Sequence, residues 1–264
     1  AIAEVPYLAK PPVLDGAAHA DWPVAPWLVI RQLRDSTGQV TRSWKARLAF
    51  NETHLFLAVQ AADDSPMVNS AEDPERLFQF GDGFDLFLGI DPDANPDRTE
   101  PAPGDVRLVF ALANDRPTAM LYRYRTAAGD AGADPVVFTS PVGRTEVAEV
   151  RPLADARMEF VRTGDAWMLE AAVPWEALGG APGRERFVLR GDVGALVSDP
   201  NGVTTVTRFY WANKDNVVMS DLPSEARALP ALWGEFRFVV PDLGERMLDD
   251  LDEGTGIDDL MDDL

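Results

Sequence analysis

Apolar residues recur at every second position over much of this chain. Ala46, Leu48 and Phe50 do so, Asn51-Glu-Thr-His54 turns the chain, and Leu55, Leu57 and Val59 repeat the pattern. Successive strand side chains point to opposite faces, so this is the signature of a β-hairpin with one buried face. Further strand-like runs fall at 84–90, 106–112, 118–124, 158–162, 167–173, 187–196, 203–211 and 236–240. Between them lie breakers such as Asp91-Pro-Asp-Ala-Asn-Pro96 and Asp199-Pro-Asn-Gly202, and the 21 Pro and 20 Gly suit a chain dominated by turns. Helix is confined to one turn at 175–178 and a little near the end. Many short strands separated by turns predict an all-β, antiparallel β-sandwich.

The 264 residues suit one large β domain. Pro241 closes the last strand-like run, which divides the chain into a sandwich over 1–241 and an acidic tail over 242–264. With 46% hydrophobic and 26% charged residues the chain can bury a real core. No apolar run is long enough to span a membrane. There is no Cys, which removes disulfides, thiolate zinc sites and cysteine nucleophiles, and the two His (His19 and His54) are too few for a His-rich cluster. A net charge of −20 excludes nucleic acid as a partner, because neutralising phosphates needs clustered Lys and Arg.

Five stretches carry a resemblance when taken in order. They are Pro12-Val-Leu-Asp-Gly16 with Asp21-Trp22, then the 46–59 hairpin with Asp63-Asp64, then Gly81-Asp82-Gly-Phe-Asp-Leu-Phe-Leu88, then Ala166-Trp-Met-Leu-Glu-Ala-Ala-Val-Pro-Trp-Glu-Ala-Leu178, and finally Tyr210-Trp211 with Leu232-Trp-Gly-Glu-Phe236. Together they span roughly 11 to 240 and resemble the family 9 carbohydrate-binding modules and their wider β-sandwich relatives. The strand that runs into a Pro-Trp corner is the most specific of them.

That resemblance implies a non-catalytic binding module and a glycan partner. In the family's sugar binders two Trp side chains stack on opposite faces of a terminal sugar, while hydroxyls meet polar groups. By position those two fall near Gln79 and Met219, and neither is aromatic here. Phe78, Phe80 and Trp211 are the neighbouring rings, and Trp211 is followed by Asn213. The expected ligand-binding set is therefore Phe78, Gln79, Phe80, Trp211, Asn213 and Met219. The resemblance also implies structural calcium, for which Asp63, Asp64 and Asp82 offer hard oxygen ligands from two loops. Asp91, Asp93, Asn95 and Asp97 alternate as in an EF-hand, but Pro92 and Pro96 break that match and predict a solvated turn. A related sandwich subunit of ethylbenzene dehydrogenase-type enzymes holds a b-type haem through Met and Lys. Met120, Met168, Met219 and Lys214 are only nominal candidates for that role, and haem b is not expected.

Nothing points to catalysis: there is no Gly-x-Ser-x-Gly elbow and no phosphate-binding Gly loop. Glu170, beside the Pro-Trp corner, is placed by strand alternation on the solvent face. In the tail, Leu243, Met247, Leu248 and Leu251, then Ile257, Leu260, Met261 and Leu264, recur at helical spacing about a Gly254-Thr-Gly256 hinge. Two short amphipathic segments of this kind suit helix-in-groove docking. They open a second reading: an accessory subunit of a larger assembly, a redox complex among them, anchored to a protein partner through its tail. A start of Ala1-Ile2-Ala3-Glu4 without Met reads as the product of signal-peptide cleavage and predicts a periplasmic or extracellular location.

Overall fold

The computed structural model of the chain describes residues 1–16, 22, 26–62, 67–140, 143–163, 166–180, 187–199, 201–214 and 227–240. Strands are numbered along the chain. Eight form the larger sheet, here sheet A: β1 (Ile2–Pro6), β15 (Gly234–Val239), β13 (Phe187–Ser198), β5 (Gly83–Gly89), β6 (Asp105–Ala113), β7 (Arg116–Arg123) and β10 (Glu149–Pro152) lie side by side, and β14 (Thr205–Tyr210) pairs the C-terminal half of β13. Sheet B has the order β11 (Arg157–Thr163), β12 (Ala166–Pro174), β4 (His54–Ala62), β3 (Val40–Phe50), β2 (Leu28–Arg34). A separate hairpin joins β8 (Val136–Ser140) to β9 (Gly143–Val147). Within the sheets every strand pair is antiparallel except β1 with β15.

The alternating residues meet between the two sheets. Trp44, Leu48, Phe50, Leu55, Leu57, Leu169 and Val173 of sheet B face Phe84, Leu86, Leu108, Phe110, Phe236 and Phe238 of sheet A in one core. Full burial of a side chain of this size stabilises by about 1.5–3 kcal/mol. The Pro-Trp corner closes one end of that core. Pro174 fixes the entry angle, and Trp175–Leu178 makes a single helical turn, α1. The Trp175 indole Nε1 donates to the Asn51 carbonyl at 2.9 Å, and its ring packs edge-on against Phe238.

The outer face of sheet A is covered as well. Phe87, Val109, Met120 and Tyr122 lie beneath Phe78, Phe138, Val147 and Trp233, which come from a 3-10 turn over Pro74–Gln79, from the β8–β9 hairpin and from the run before β15. Enclosed in this layer is an ion pair with neither side chain exposed. Arg107 Nε and Nη2 reach Asp85 Oδ1 and Oδ2 at 2.8 and 2.9 Å, and the guanidinium sits over the Phe78 ring. The Tyr210 hydroxyl donates to Asp85 Oδ2 at 2.6 Å; burial, then the Asp85 charge, pushes its pKa up and keeps it a donor.

Sheet B carries a correction to the sequence reading. Glu170 does point to the outer face of its strand, yet it is fully buried, not solvated. The early segment folds over that face, with Leu8, Leu14 and Trp22 against Ala49, Phe56, Ala58, Ala172 and Met168. Glu170 Oε2 accepts the backbone N–H groups of Asp15 and Gly16, each at 2.7 Å. Alternation identifies a face; it does not see a non-local segment laid across it.

The 242–264 tail, with Leu243, Met247, Leu251, Ile257, Leu260, Met261 and Leu264, lies outside the described residues, as do Asp63, Asp64 and Met219. No helix among the described residues is long and apolar enough to cross a membrane.

Candidate functional site

β13 and β14 build the floor and one wall of a trough on sheet A. Asp192, in the middle of β13, is buried and faces the turn that follows β14. Its Oδ1 accepts from the N–H groups of Val193 at 2.9 Å and Ala212 at 2.8 Å, and its Oδ2 from that of Asn213 at 2.8 Å. One carboxylate therefore shapes the 211–214 corner. Lys214 completes it, its Nζ donating to the carbonyls of Tyr210 at 2.6 Å and of Ile30 at 3.0 Å. The second of these bonds ties the corner to β2, the edge strand of sheet B. A register shift between Val29 and Arg31 leaves Ile30 without a β3 partner, and its carbonyl meets Lys214.

Three openings lie along this structure. A cavity of about 230 Å³ separates the edges of β2 and β14, walled by Val29, Ile30, Arg31 and Gln32 on one side and by Arg208, Phe209 and Tyr210 on the other, with Asn213 and Lys214 at its end. It shares Arg208, Tyr210 and Asn213 with a narrow slot of about 30 Å³ over Phe87, Asp192, Leu229 and Trp233. That slot shares Arg227 with a third cavity of about 370 Å³ beside Tyr124, Arg125, Arg144 and Glu146. A cavity of that last size falls within the range of small-ligand sites.

Electrostatics at the floor are uneven. Burial raises the Asp192 pKa to about 7 against the pull of its three N–H donors and of Lys214. Burial lowers that of Lys214, Asp192 raises it and nearby Arg31 lowers it further. A carboxylate raised in the folded state holds a proton that the unfolded chain has already released, so its contribution to stability falls as pH rises from about 4 to about 7. Asp192→Asn removes this slope. In urea unfolding, the stability of the variant relative to the original chain is expected to rise between about pH 5 and about pH 7; a constant difference across that window would contradict the assignment.

The residues expected from sequence fall into two groups around this trough. Phe78 is fully buried between Tyr122 and Phe138, with ring centroids at 5.6 and 5.2 Å, and offers no face to a ligand. Gln79 is 3% exposed and accepts from Arg76 Nη1 at 3.2 Å, while Phe80 is half-buried against the same layer. Trp211 lies flat on Phe236 at 5.4 Å and across Gly234, where a Cβ would come within 2.5 Å of its ring. Asn213 lines both the slot and the β2–β14 cavity. The groups are linked by Arg208, whose Nη2 donates to the Phe78 carbonyl at 3.2 Å. Sequence reasoning passed over Arg31, Arg208, Arg227 and Asp192; Asp192 carried a signal, as an acidic residue at the head of the apolar run 193–197.

Asp82, the described member of the expected calcium set, works as a loop clamp. Its Oδ1 accepts from Ser198 N at 2.6 Å and its Oδ2 from Val68 N at 3.0 Å. Gly81 beside it takes a φ of +139°, and a Cβ there would meet the Val68 carbonyl oxygen at 2.3 Å. Both Asp82 oxygens thus accept from backbone donors, while Asp63 and Asp64, the other two residues of the calcium expectation, lie outside the described residues. Among the described residues, no three His, Cys, Asp or Glu side chains gather as a metal site. In the second acidic loop, Asp91 and Asn95 accept from the N–H groups of Asp93 and Asp97, as a solvated turn requires.

The fold is like that of the family 9 carbohydrate-binding modules. One such module from Caldicellulosiruptor kristjanssonii, solved in complex with cellotriose, superposes with a TM-score of 0.57 over 92% of this chain and 96% of its own, at 13% identity. A family 9 module from the same organism in complex with glucose gives 0.55 over 92% and 98%, at 14% identity. A carbohydrate-binding candidate from Bacteroides uniformis gives 0.53 over 90% and 99%, at 11% identity. No family model matches the sequence, and no curated protein matches it.

Proposed function

We propose that this chain is a non-catalytic carbohydrate-binding module whose glycan lies in the trough between the β2 edge, the 211–214 corner and the outer face of sheet A. The observation that carries this reading is the likeness, over 92% of the chain, to a module solved with cellotriose bound. The trough supports it physically. Sugar recognition needs a concave surface with fixed polar groups, and Asp192 and Lys214 lock the corner that presents Asn213 before any ligand arrives. The ligand's ring stacking differs from the two-Trp arrangement: Tyr210 and Trp233 are only 6% and 5% exposed, Trp211 lies on Phe236, and half-buried Phe209 on the cavity wall already has Arg31 over its ring. Edge contacts and hydrogen bonds therefore dominate.

Calorimetric titration against a panel of neutral and acidic oligosaccharides tests the reading, together with hydrogen exchange of the bound state. At least one glycan is expected to bind with a Kd of about 1 μM to 1 mM, protecting amides at 29–32 and 206–214. Saturable binding that protects neither segment would move the site elsewhere, and no binding across the panel would sink the function.

A further inference from the structure

The trough's charge runs against that of the whole chain. The protein carries −20 overall, yet its three openings are lined by Arg31, Arg125, Arg144, Arg208, Arg227 and Lys214. Three carboxylates line them among the described residues, and each is already engaged. Glu100 pairs with Arg227 at 3.0 Å, Glu146 with Arg144 at 2.7 Å, and Asp192 is spent on backbone N–H groups. Among the described residues, Arg125 donates to the carbonyls of Tyr124 and Glu146, and Lys214 to those of Ile30 and Tyr210. Arg31 is exposed and lies over the Phe209 ring at 5.2 Å, with no carboxylate against it among the described residues. Arg31 and Lys214 line the same β2–β14 cavity, and burial and then the Arg31 charge lower the Lys214 pKa. Two cations held together at the mouth of a cavity, on a body that is otherwise strongly acidic, are relieved by an anion placed between them.

We infer that the ligand of this trough is an anionic glycan, recognised through a sugar carboxylate of the uronic acid type held by Arg31 and Lys214. The inference rests on the glycan-binding reading above and narrows it. A carboxylate fits better than a compact point charge because the planar guanidinium fork of Arg31 presents paired N–H donors at carboxylate spacing. Sparse charge fits better than dense. A densely charged chain is repelled by the acidic body, whereas a single carboxylate meets the trough cations at contact distance, inside the screening length of about 8 Å at physiological salt.

The test is calorimetric titration of the full chain with digalacturonate, with its methyl ester, with cellotriose and with glucose 6-sulfate. Digalacturonate is expected to bind at least about tenfold more tightly than its ester. Arg31→Gln should erase most of that preference and Arg31→Lys restore part of it, with Tm unchanged because the side chain is exposed. Equal binding of acid and ester, or tightest binding of cellotriose, overturns the inference and leaves the glycan reading standing. Preferential binding of the sugar sulfate overturns the carboxylate assignment. A preference that survives Arg31→Gln overturns the residue assignment, and failure of every sugar takes down both readings.

Discussion

Trp175→Ala is expected to destabilise the protein by about 3–5 kcal/mol, the usual loss for emptying a buried Trp site. Trp175 is 1% exposed and stands where three parts of the chain converge. Its ring meets Phe238 of the last strand, its indole holds the Asn51 carbonyl, and its own N–H donates to Thr53 at 3.0 Å. Asn51 in turn organises the β3–β4 turn, its Oδ1 accepting from the N–H groups of Thr53 and His54. Removing the indole thus opens a cavity and also strands a carbonyl that shapes the hairpin. Trp175→Phe separates the two effects. It keeps most of the apolar volume but leaves the Asn51 oxygen without its donor, for which about 1–3 kcal/mol is expected. Urea unfolding of both variants checks this, and a loss under about 1 kcal/mol for the alanine variant would refute the corner's structural role.

The second large effect belongs to the ion pair beneath the outer layer of sheet A. Arg107→Met leaves Asp85 enclosed without its guanidinium partner, held by the Tyr210 hydroxyl, and a loss of about 3–5 kcal/mol follows. Asp85→Leu should cost a similar amount by stranding the guanidinium among Phe78, Phe87 and Tyr122. The double variant is expected to lose much less than the sum of the two single losses, because both charges leave the interior together. Strict additivity in that cycle would mean that the pair is not coupled. The pair also bears on the trough, since Tyr210 links Asp85 to the wall of the β2–β14 cavity.

Local pattern carried much of the fold. The 46–50 and 55–59 alternations became β3 and β4 in register, with Leu48 opposite Leu57 and Phe50 opposite Leu55. The single turn at Trp175–Leu178 stands where the Pro-Trp sequence places it. β1 and β2 escaped notice because Ile2–Pro6 is too short to establish a period, and the Val29/Arg31 shift in β2 interrupts one. Non-local coverage was the main thing hidden. Phe78 looks like an available ring beside the site, yet Phe138, sixty residues on, lies against it. The Arg107–Asp85 pairing crosses strands 22 residues apart and leaves no local trace. The trough itself is made by two edge strands of different sheets, far apart in sequence and joined by one lysine.

The parallel pairing of β1 with β15 sets Ile2 opposite Glu235 and Pro6 opposite Val239. Among the described residues, β1 therefore has no sheet partner until β15 has been synthesised. The β3–β4, β5–β6–β7 and β11–β12 units join neighbours and can form as they emerge, but Ala3 and Val5 must wait. Closing so long a loop costs only a slowly growing entropy, so the burden falls on time more than on final stability. During that interval the nascent chain exposes Ala3 and Val5 while their partner strand is still unmade, and docking of β1 becomes the late zipping step that adds the outermost strand beside β15.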